Sequence, residues 1–310
     1  MYHGMSDRLF SVPGVWSMKN CSQGECGTYW LDPMPLEEDI SLAYVDYITH
    51  DSFSTTDVKS ENILYRLMRG VVARTTGMLL KRSIGIDRKR RQLSDLCLYD
   101  DSPGKLFEIG CGSGDFLARM RSRGWDVEGV DFDPEAVRNV REKHGLTVHA
   151  GTMEHLNLPD ETFDAVALSH VIEHIYDPVS LLKECFRVLK PSGKLTMTTP
   201  NAASFGHDLY RESWFPLDPP RHITLYSQKS LGVIIRRAGF KNVEIVTSAA
   251  NAEGVLRGSY HIKKFGRHSM AEQFKLHEII KYMAMQFFEH LLVSRGKPVG
   301  EELLCRAYKK

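Results

Sequence analysis

The stretch Leu106-Phe107-Glu108-Ile109-Gly110-Cys111-Gly112-Ser113-Gly114 decides how this chain reads. A short apolar run passes straight into Gly-x-Gly-x-Gly, the pattern of a strand entering a tight turn. Glycines let the backbone turn sharply and approach a ligand with no Cβ in the way. In an open α/β sheet such a ligand sits outside the carboxyl ends of the strands. Asp131 follows at the end of the next apolar run, where a carboxylate can accept from both hydroxyls of a ribose. The spacing does not suit a dinucleotide. That fingerprint needs Gly or Ala three residues after its second glycine, and here Asp115 holds the position. An acidic residue at a helix start would also repel a pyrophosphate.

Outward from this stretch, short β-rich runs alternate with helical ones. Strands are expected at Lys105–Ile109, Asp126–Val130, Thr147–Ala150, Phe163–Leu168, Lys194–Thr199, Val243–Ser248 and Glu301–Tyr308. Helices are expected at Asp115–Arg123, Pro134–His144, Pro178–Leu189 (closed by a Pro191–Gly193 turn) and Ser227–Ala238. This alternation implies an α/β fold, a doubly wound, seven-stranded, mostly parallel sheet with helical additions. Residues 1–58 show no sustained period and read as an irregular N-terminal segment. Residues 59–104 read as a helical lead-in, with helices over Ser60–Leu80 and from about Asp87 to Leu98. Residues 105–310 form the main domain, with a lid at 201–226 and a helical insertion at 250–300.

Composition sets bounds. Of 310 residues 42% are apolar and 25% charged, with net charge +1, which is an ordinary globular balance. Near neutrality argues against a nucleic-acid partner, although Lys81, Arg82, Arg88, Lys89, Arg90 and Arg91 cluster locally. No apolar run is long enough to span a membrane, and the N-terminus lacks a signal peptide's apolar core. Six sparse cysteines suit reduced thiols, so a cytoplasmic location is expected.

From about Leu106 to Phe240 the chain resembles a class I S-adenosylmethionine-dependent methyltransferase, of the group with ubiquinone-biosynthesis and sugar O-methyltransferases. The resemblance rests on Glu108–Gly114, Gly129-Val130-Asp131, Phe163–Val166, Ser169–His174, Leu189–Gly193 and Ala238-Gly239-Phe240, in the family's order. It implies S-adenosylmethionine as cofactor and S-adenosylhomocysteine as product. Glu108, Gly110, Gly112 and Gly114 would then cradle the methionine end, and Asp131 the ribose. Thr152 and Met153 would line the adenine pocket, although the family often has Asp where Thr152 stands. Cys111, Phe132 and Ser169 complete the implied cofactor-binding set. A sulfonium cofactor carries no phosphate, so Asp115 is compatible with it and a nicotinamide reading is the poorer one.

Methyl transfer from a sulfonium needs alignment, exclusion of water and, for a hydroxyl acceptor, a general base. The catalytic candidates are His170, Glu173 and His174, after the fourth strand, and His222, after the fifth. A His/Glu cluster can also bind a divalent metal, but no metal is expected here. Phe205, Tyr210, Trp214, Phe215, Arg211 and Arg221 in the lid could stack on a sugar or hold a phosphate or carboxylate; loop packing is the equal alternative. Asp218-Pro219-Pro220 is misplaced for a base-methylating motif and lacks its aromatic. Cys21 and Cys26 with Trp30–Pro35 resemble half of a zinc ribbon, read as degenerate because a closed site needs four ligands. Phe274–Val293 is an apolar-faced helix that packs on the domain or makes a peripheral membrane or dimer contact. The oligomeric state stays open. The expected activity is O-methylation of a small polar or sugar-linked substrate. A quinone-like phenol O-methyltransferase and a catalytically silent binding protein are the alternatives.

Overall fold

The computed structural model describes residues 1–23, 26–44, 85–268 and 276–310. The helix expected over Ser60–Leu80 lies outside them, as do Lys81 and Arg82.

Eleven strands are described: β1 (Tyr2–Met5), β2 (Trp16–Asn20), β3 (Tyr29–Asp32), β4 (Lys105–Ile109), β5 (Asp126–Asp131), β6 (Thr147–Ala150), β7 (Phe163–Ser169), β8 (Leu189–Pro200), β9 (Thr224–Leu225), β10 (Lys241–Ser248) and β11 (Glu302–Tyr308). The helices are α1 (Ile86–Ser94), α2 (Asp115–Arg121), α3 (Pro134–His144), α4 (Pro178–Val188), α5 (Phe205–Tyr210), α6 (Gln228–Arg237), α7 (Ala252–Phe265) and α8 (Leu276–Ser294). The main sheet runs β10-β11-β8-β7-β4-β5-β6. Pairing is parallel from β8 to β6, while β11 is antiparallel to both of its neighbours. The expected seven-stranded doubly wound sheet is therefore present.

Both faces of the sheet are covered, so its strands are apolar on both sides. Phe107, Val166 and Leu168 pack with Leu182, Cys185, Leu231 and Ile235 of α4 and α6. Leu106, Ala165 and Ala167 face the opposite way, toward Leu117, Met120, Val137 and Val140 of α2 and α3. Local chemistry sets the helix ends. Asp133 caps α3 by accepting from the Glu135 N–H, Pro134 takes the first turn, and Gly145 closes it in the left-handed region. Ser227 and Ser230 form a reciprocal capping pair at α6.

Three expectations differ from the structure. Residues 1–44 are not irregular: β1, β2, β3 and β9 form a four-stranded antiparallel sheet. Its strands are only two to five residues long, too short for a visible period. Next, α1 ends at Ser94 rather than Leu98, because Leu96 and Cys97 take positive φ and Leu96 and Leu98 turn into the core. Finally, the Pro191–Gly193 turn does not separate α4 from its strand. β8 begins at Leu189, and the extra residues are absorbed as an irregularity between the Phe163–Leu189 and Ala165–Lys194 pairs.

The segment 201–226 bridges the two sheets. Asn201 pairs with Tyr226, and β9 adds to β3. Met5, Met18 and Leu31 of the small sheet share one core with Ala202, Tyr210, Trp214, Leu217, Leu256 and Tyr282. Among the described residues no helix is long and apolar enough to cross a membrane.

Candidate functional site

The strand order reverses between β4 and β7, and this switch point is where open α/β sheets bind ligands. The glycine loop leaves β4 there. A Cβ on Gly110 would stand 2.5 Å from Val171 Cγ2, so only glycine fits. Gly112 has φ +47 and open space where its Cβ would project, which leaves bare backbone facing the cleft. Gly114 is the N-cap of α2, and Asp115 occupies the first turn. Asp115 accepts from Ser113 Oγ (3.0 Å) and Lys143 Nζ (3.1 Å), so this helix start already carries an anion.

Asp131 ends β5 and is buried. Its Oδ2 accepts from the Gly112 N–H (2.8 Å) and its Oδ1 from the Asp133 N–H (3.0 Å). Burial raises its pKa despite these two bonds. Each oxygen keeps a lone pair for a ligand hydroxyl. Glu108, on β4, is buried with Oε2 unpartnered. Burial, then the Asp131 charge, holds its carboxyl well above the usual range. A buried orphan oxygen costs free energy unless a donor or cation meets it. The ammonium and sulfonium of S-adenosylmethionine have that charge, and the open Gly112 face has the room, so the residues present fit this cofactor.

The other expected cofactor residues divide into lining and core. Phe132 is half-exposed beside Asp131, and Ser169 is exposed at the end of β7, with its Oγ 3.3 Å from Thr198 Oγ1. Thr152 is exposed at the end of the β6 turn, with its Oγ1 2.9 Å from His155 Nδ1. Met153 is buried among Ile109, Val130 and Leu158, and Cys111 among Leu117 and Val140. Burial pushes the Cys111 thiol upward, so it packs as a small apolar residue.

The four catalytic candidates converge. His170 takes φ +53, a region costly for a residue with a Cβ and common at functional sites. Its Nδ1 lies 3.1 Å from Glu173 Oε1 and its Nε2 3.2 Å from Glu302 Oε1. Packing around the ring would lower its pKa, but the bonds to Glu173 and Glu302 outweigh this and raise it to about 10; with 42% of the side chain exposed, solvent screens part of the effect. Glu173 is fully buried, and its Oε2 accepts from Thr199 Oγ1 (2.9 Å). Burial would raise this carboxyl, yet the His170 bond and the neighbouring imidazoles lower it to about 2. Burial and nearby His222 lower His174 to about 4. His174 Nδ1 lies 2.9 Å from the Arg221 carbonyl, which can only accept, so this nitrogen carries the hydrogen and Nε2 is bare. His222 has the same arrangement, with Nδ1 2.7 Å from the Pro216 carbonyl. The two rings meet edge to face at 4.7 Å. Ligand atoms of Glu173, His174 and His222 lie within 4.8 Å of one another, a grouping able to hold a metal ion where none was expected.

These shifts give the cluster a pH signature. The His170 contribution is present below 6.5 and is lost as pH rises through about 10. The Glu173 contribution is present above 4.5 and is lost as pH falls through about 2. Chemical denaturation should therefore show stability falling from pH 7 to pH 10, and His170→Gln should flatten that slope. An unchanged alkaline slope in the variant would show that His170 is not held as the cation.

Other residues complete the site without a sequence signal. Tyr44, from a 3-10 turn at Ile40–Tyr44, lies edge-on to Phe132 (5.1 Å) with its hydroxyl 2.9 Å from His174 Nδ1. Glu302 arrives on the last strand, and its carboxylate also accepts from Asn251 Nδ2 (3.3 Å). Both are far from the glycine loop in sequence, and only the topology brings them in. The lid side chains go the other way. Arg221, expected to face a ligand anion, is fully buried against Asp7 and Asp218. Trp214 is buried, stacked on His207 at 4.5 Å, and donates Nε1–H to Glu301. Cys21 and Cys26 stand at the β2–β3 end. Asp7 is committed to Arg221, and among the described residues the only grouping of potential metal ligands is Glu173, His174 and His222.

Comparison with known proteins identifies the family. Residues 82–245, more than half of the chain, match a family described as "Methyltransferase domain". A "Probable S-adenosylmethionine-dependent methyltransferase" of Mycolicibacterium smegmatis is 34% identical over 142 residues, covering 44% of this chain and 51% of that protein. A ubiquinone biosynthesis O-methyltransferase of Cereibacter sphaeroides is 32% identical over 151 residues, covering 45% and 61%. A solved SAM-dependent methyltransferase from Archaeoglobus fulgidus is 20% identical, with TM-score 0.48, covering 75% of this chain and 99% of that one. The chain spans about half the length of the first of these relatives. Its matched region carries the glycine loop, Asp131 and the reversed strand order, and the chain belongs to the class I S-adenosylmethionine-dependent methyltransferase family.

Proposed function

We propose that this chain transfers the methyl group of S-adenosylmethionine to an oxygen of a sugar-linked or other small polar acceptor. The observation that carries the cofactor reading is the buried, unpartnered Glu108 Oε2 on the strand that leads to the open Gly112 backbone and Asp131. S-adenosylmethionine supplies the activated methyl on its sulfonium. Asp131 accepts from the ribose hydroxyls, Glu108 faces the cationic end, and Phe132 covers the ribose side.

His222 is the general base. Its Nδ1–H is pinned by Pro216, which leaves Nε2 with a lone pair to take the acceptor's proton, while the bound cofactor would supply the methyl group and keep the C–S electron pair on its sulfur. His170 has neither nitrogen free, because both lie against carboxylates. It acts as a cation that fixes Glu173 and Glu302 at the rim of the acceptor space. A phenol acceptor is the second reading, favoured by the similarity to a ubiquinone biosynthesis O-methyltransferase.

Transfer of labelled methyl into sugar nucleotides, lipid-linked sugars and phenols tests this. His222→Gln should lower kcat on a sugar hydroxyl by about 100-fold or more while leaving S-adenosylhomocysteine affinity unchanged. On a phenol, which ionises far more readily, the loss should be smaller. Equal rates in variant and parent would remove His222 as the base.

A further inference from the structure

At the β10 edge of the main sheet lies a cavity of about 370 Å³, walled by β10, the C-terminal end of α8, the first residue of α6 and Lys89 of α1. This falls within the size range of small-molecule sites, roughly 300–1,000 Å³. Its lining is one-signed. Lys89, His290 and Lys297 contribute, and among the described residues no acidic side chain lines it. Among the described residues none of these three side chains is in an ion pair. The cavity floor is apolar, formed by Val246 of β10, about half exposed, and Val293 of α8.

The backbone adds a donor. Among the described residues β10 pairs with β11 alone, which leaves its other edge unpaired there. The Ile245 carbonyl accepts from Gln228 Nε2 on that open side. Backbone direction repeats every two residues in an antiparallel pair, so the N–H of Thr247 turns the same way, toward the cavity it lines. A backbone N–H, two ammonium groups and an imidazole around an apolar floor are the complement of an anion with an apolar body.

We propose that this cavity is a second ligand site that takes a small organic phosphate, its phosphoryl group on Lys89, Lys297 and the Thr247 N–H and its apolar part on Val246 and Val293. β10 stands five strands from β5, about 24 Å at the usual strand spacing, so a ligand here leaves Asp131 untouched. The proposal does not depend on the identity of the methyl acceptor.

Calorimetry with phenyl phosphate, on the full chain saturated with S-adenosylhomocysteine, tests it. One phenyl phosphate per chain should bind, about tenfold more tightly than inorganic phosphate because the ring leaves water. The double variant Lys89→Glu with Lys297→Glu should lose that binding while its thermal midpoint and its S-adenosylhomocysteine affinity stay at the parent values; both lysines are exposed. Absence of saturable binding, equal affinity for the two phosphates, or full binding in the double variant would each overturn the proposal.

Discussion

Asp131→Ala should weaken S-adenosylhomocysteine binding by about 100-fold or more, read by calorimetry. Two effects combine. In the proposed function the carboxylate accepts two charge-assisted hydrogen bonds from ribose, each worth roughly 1.5–3 kcal/mol in a buried site. It also anchors the loop, because Gly112 and Asp133 both donate to it, and alanine leaves both N–H groups without an acceptor. Asp131→Asn retains a single acceptor oxygen, so it should fall between parent and alanine. The thermal midpoint of each variant separates loss of the site from loss of the fold. Full affinity in Asp131→Ala with an unchanged midpoint would show that the ribose lies elsewhere.

The second large effect concerns Arg221. Its guanidinium is fully buried, with Nη1 and Nη2 on Asp7 (2.9 and 2.8 Å) and Nε on Asp218 (3.0 Å). Asp7 also accepts from the N–H groups of Leu9, Phe10 and Val12, so one ion cluster holds the N-terminal loop to the 201–226 segment. Removing one member of a buried pair leaves uncompensated charge and costs about 3–5 kcal/mol. Arg221→Ala should lower the thermal midpoint by on the order of 10 °C. Adding Asp7→Asn and Asp218→Asn should recover part of that loss, because the cost comes from the two orphaned carboxylates. A single variant as stable as the parent would mean that water reaches this cluster.

The regular part of the fold was legible wherever local chemistry and tertiary packing agreed. β4, α3 and β6 have the bounds their sequences predict, since apolar spacing, Pro134 and Gly145 all point the same way. The small sheet was not legible. β3 is held by pairing with β9, far along the chain, and the period of these short strands is too brief to show. The site divides similarly. Glycines and Asp131 announce themselves through spacing. Glu302 and Tyr44 do not, because an acidic residue on a late strand and a tyrosine in an N-terminal turn have no local mark of their purpose. Arg221 misleads for a related reason: a cation among aromatics looks the same whether it waits for a ligand or is already satisfied by Asp7.

The pairing of β3 with β9 also has a consequence in time. Tyr29 and Trp30 find their partners at Leu225 and Thr224, about 200 residues later in synthesis, so the contact carries a high sequence separation. On the ribosome, β1–β3 emerge first and β3 must wait with one edge unpaired until most of the main sheet has been made. The N-terminal strands are thus among the first to appear, yet their sheet can be completed only after β4 to β8 have been made, with β10 and β11 of the main sheet still to come.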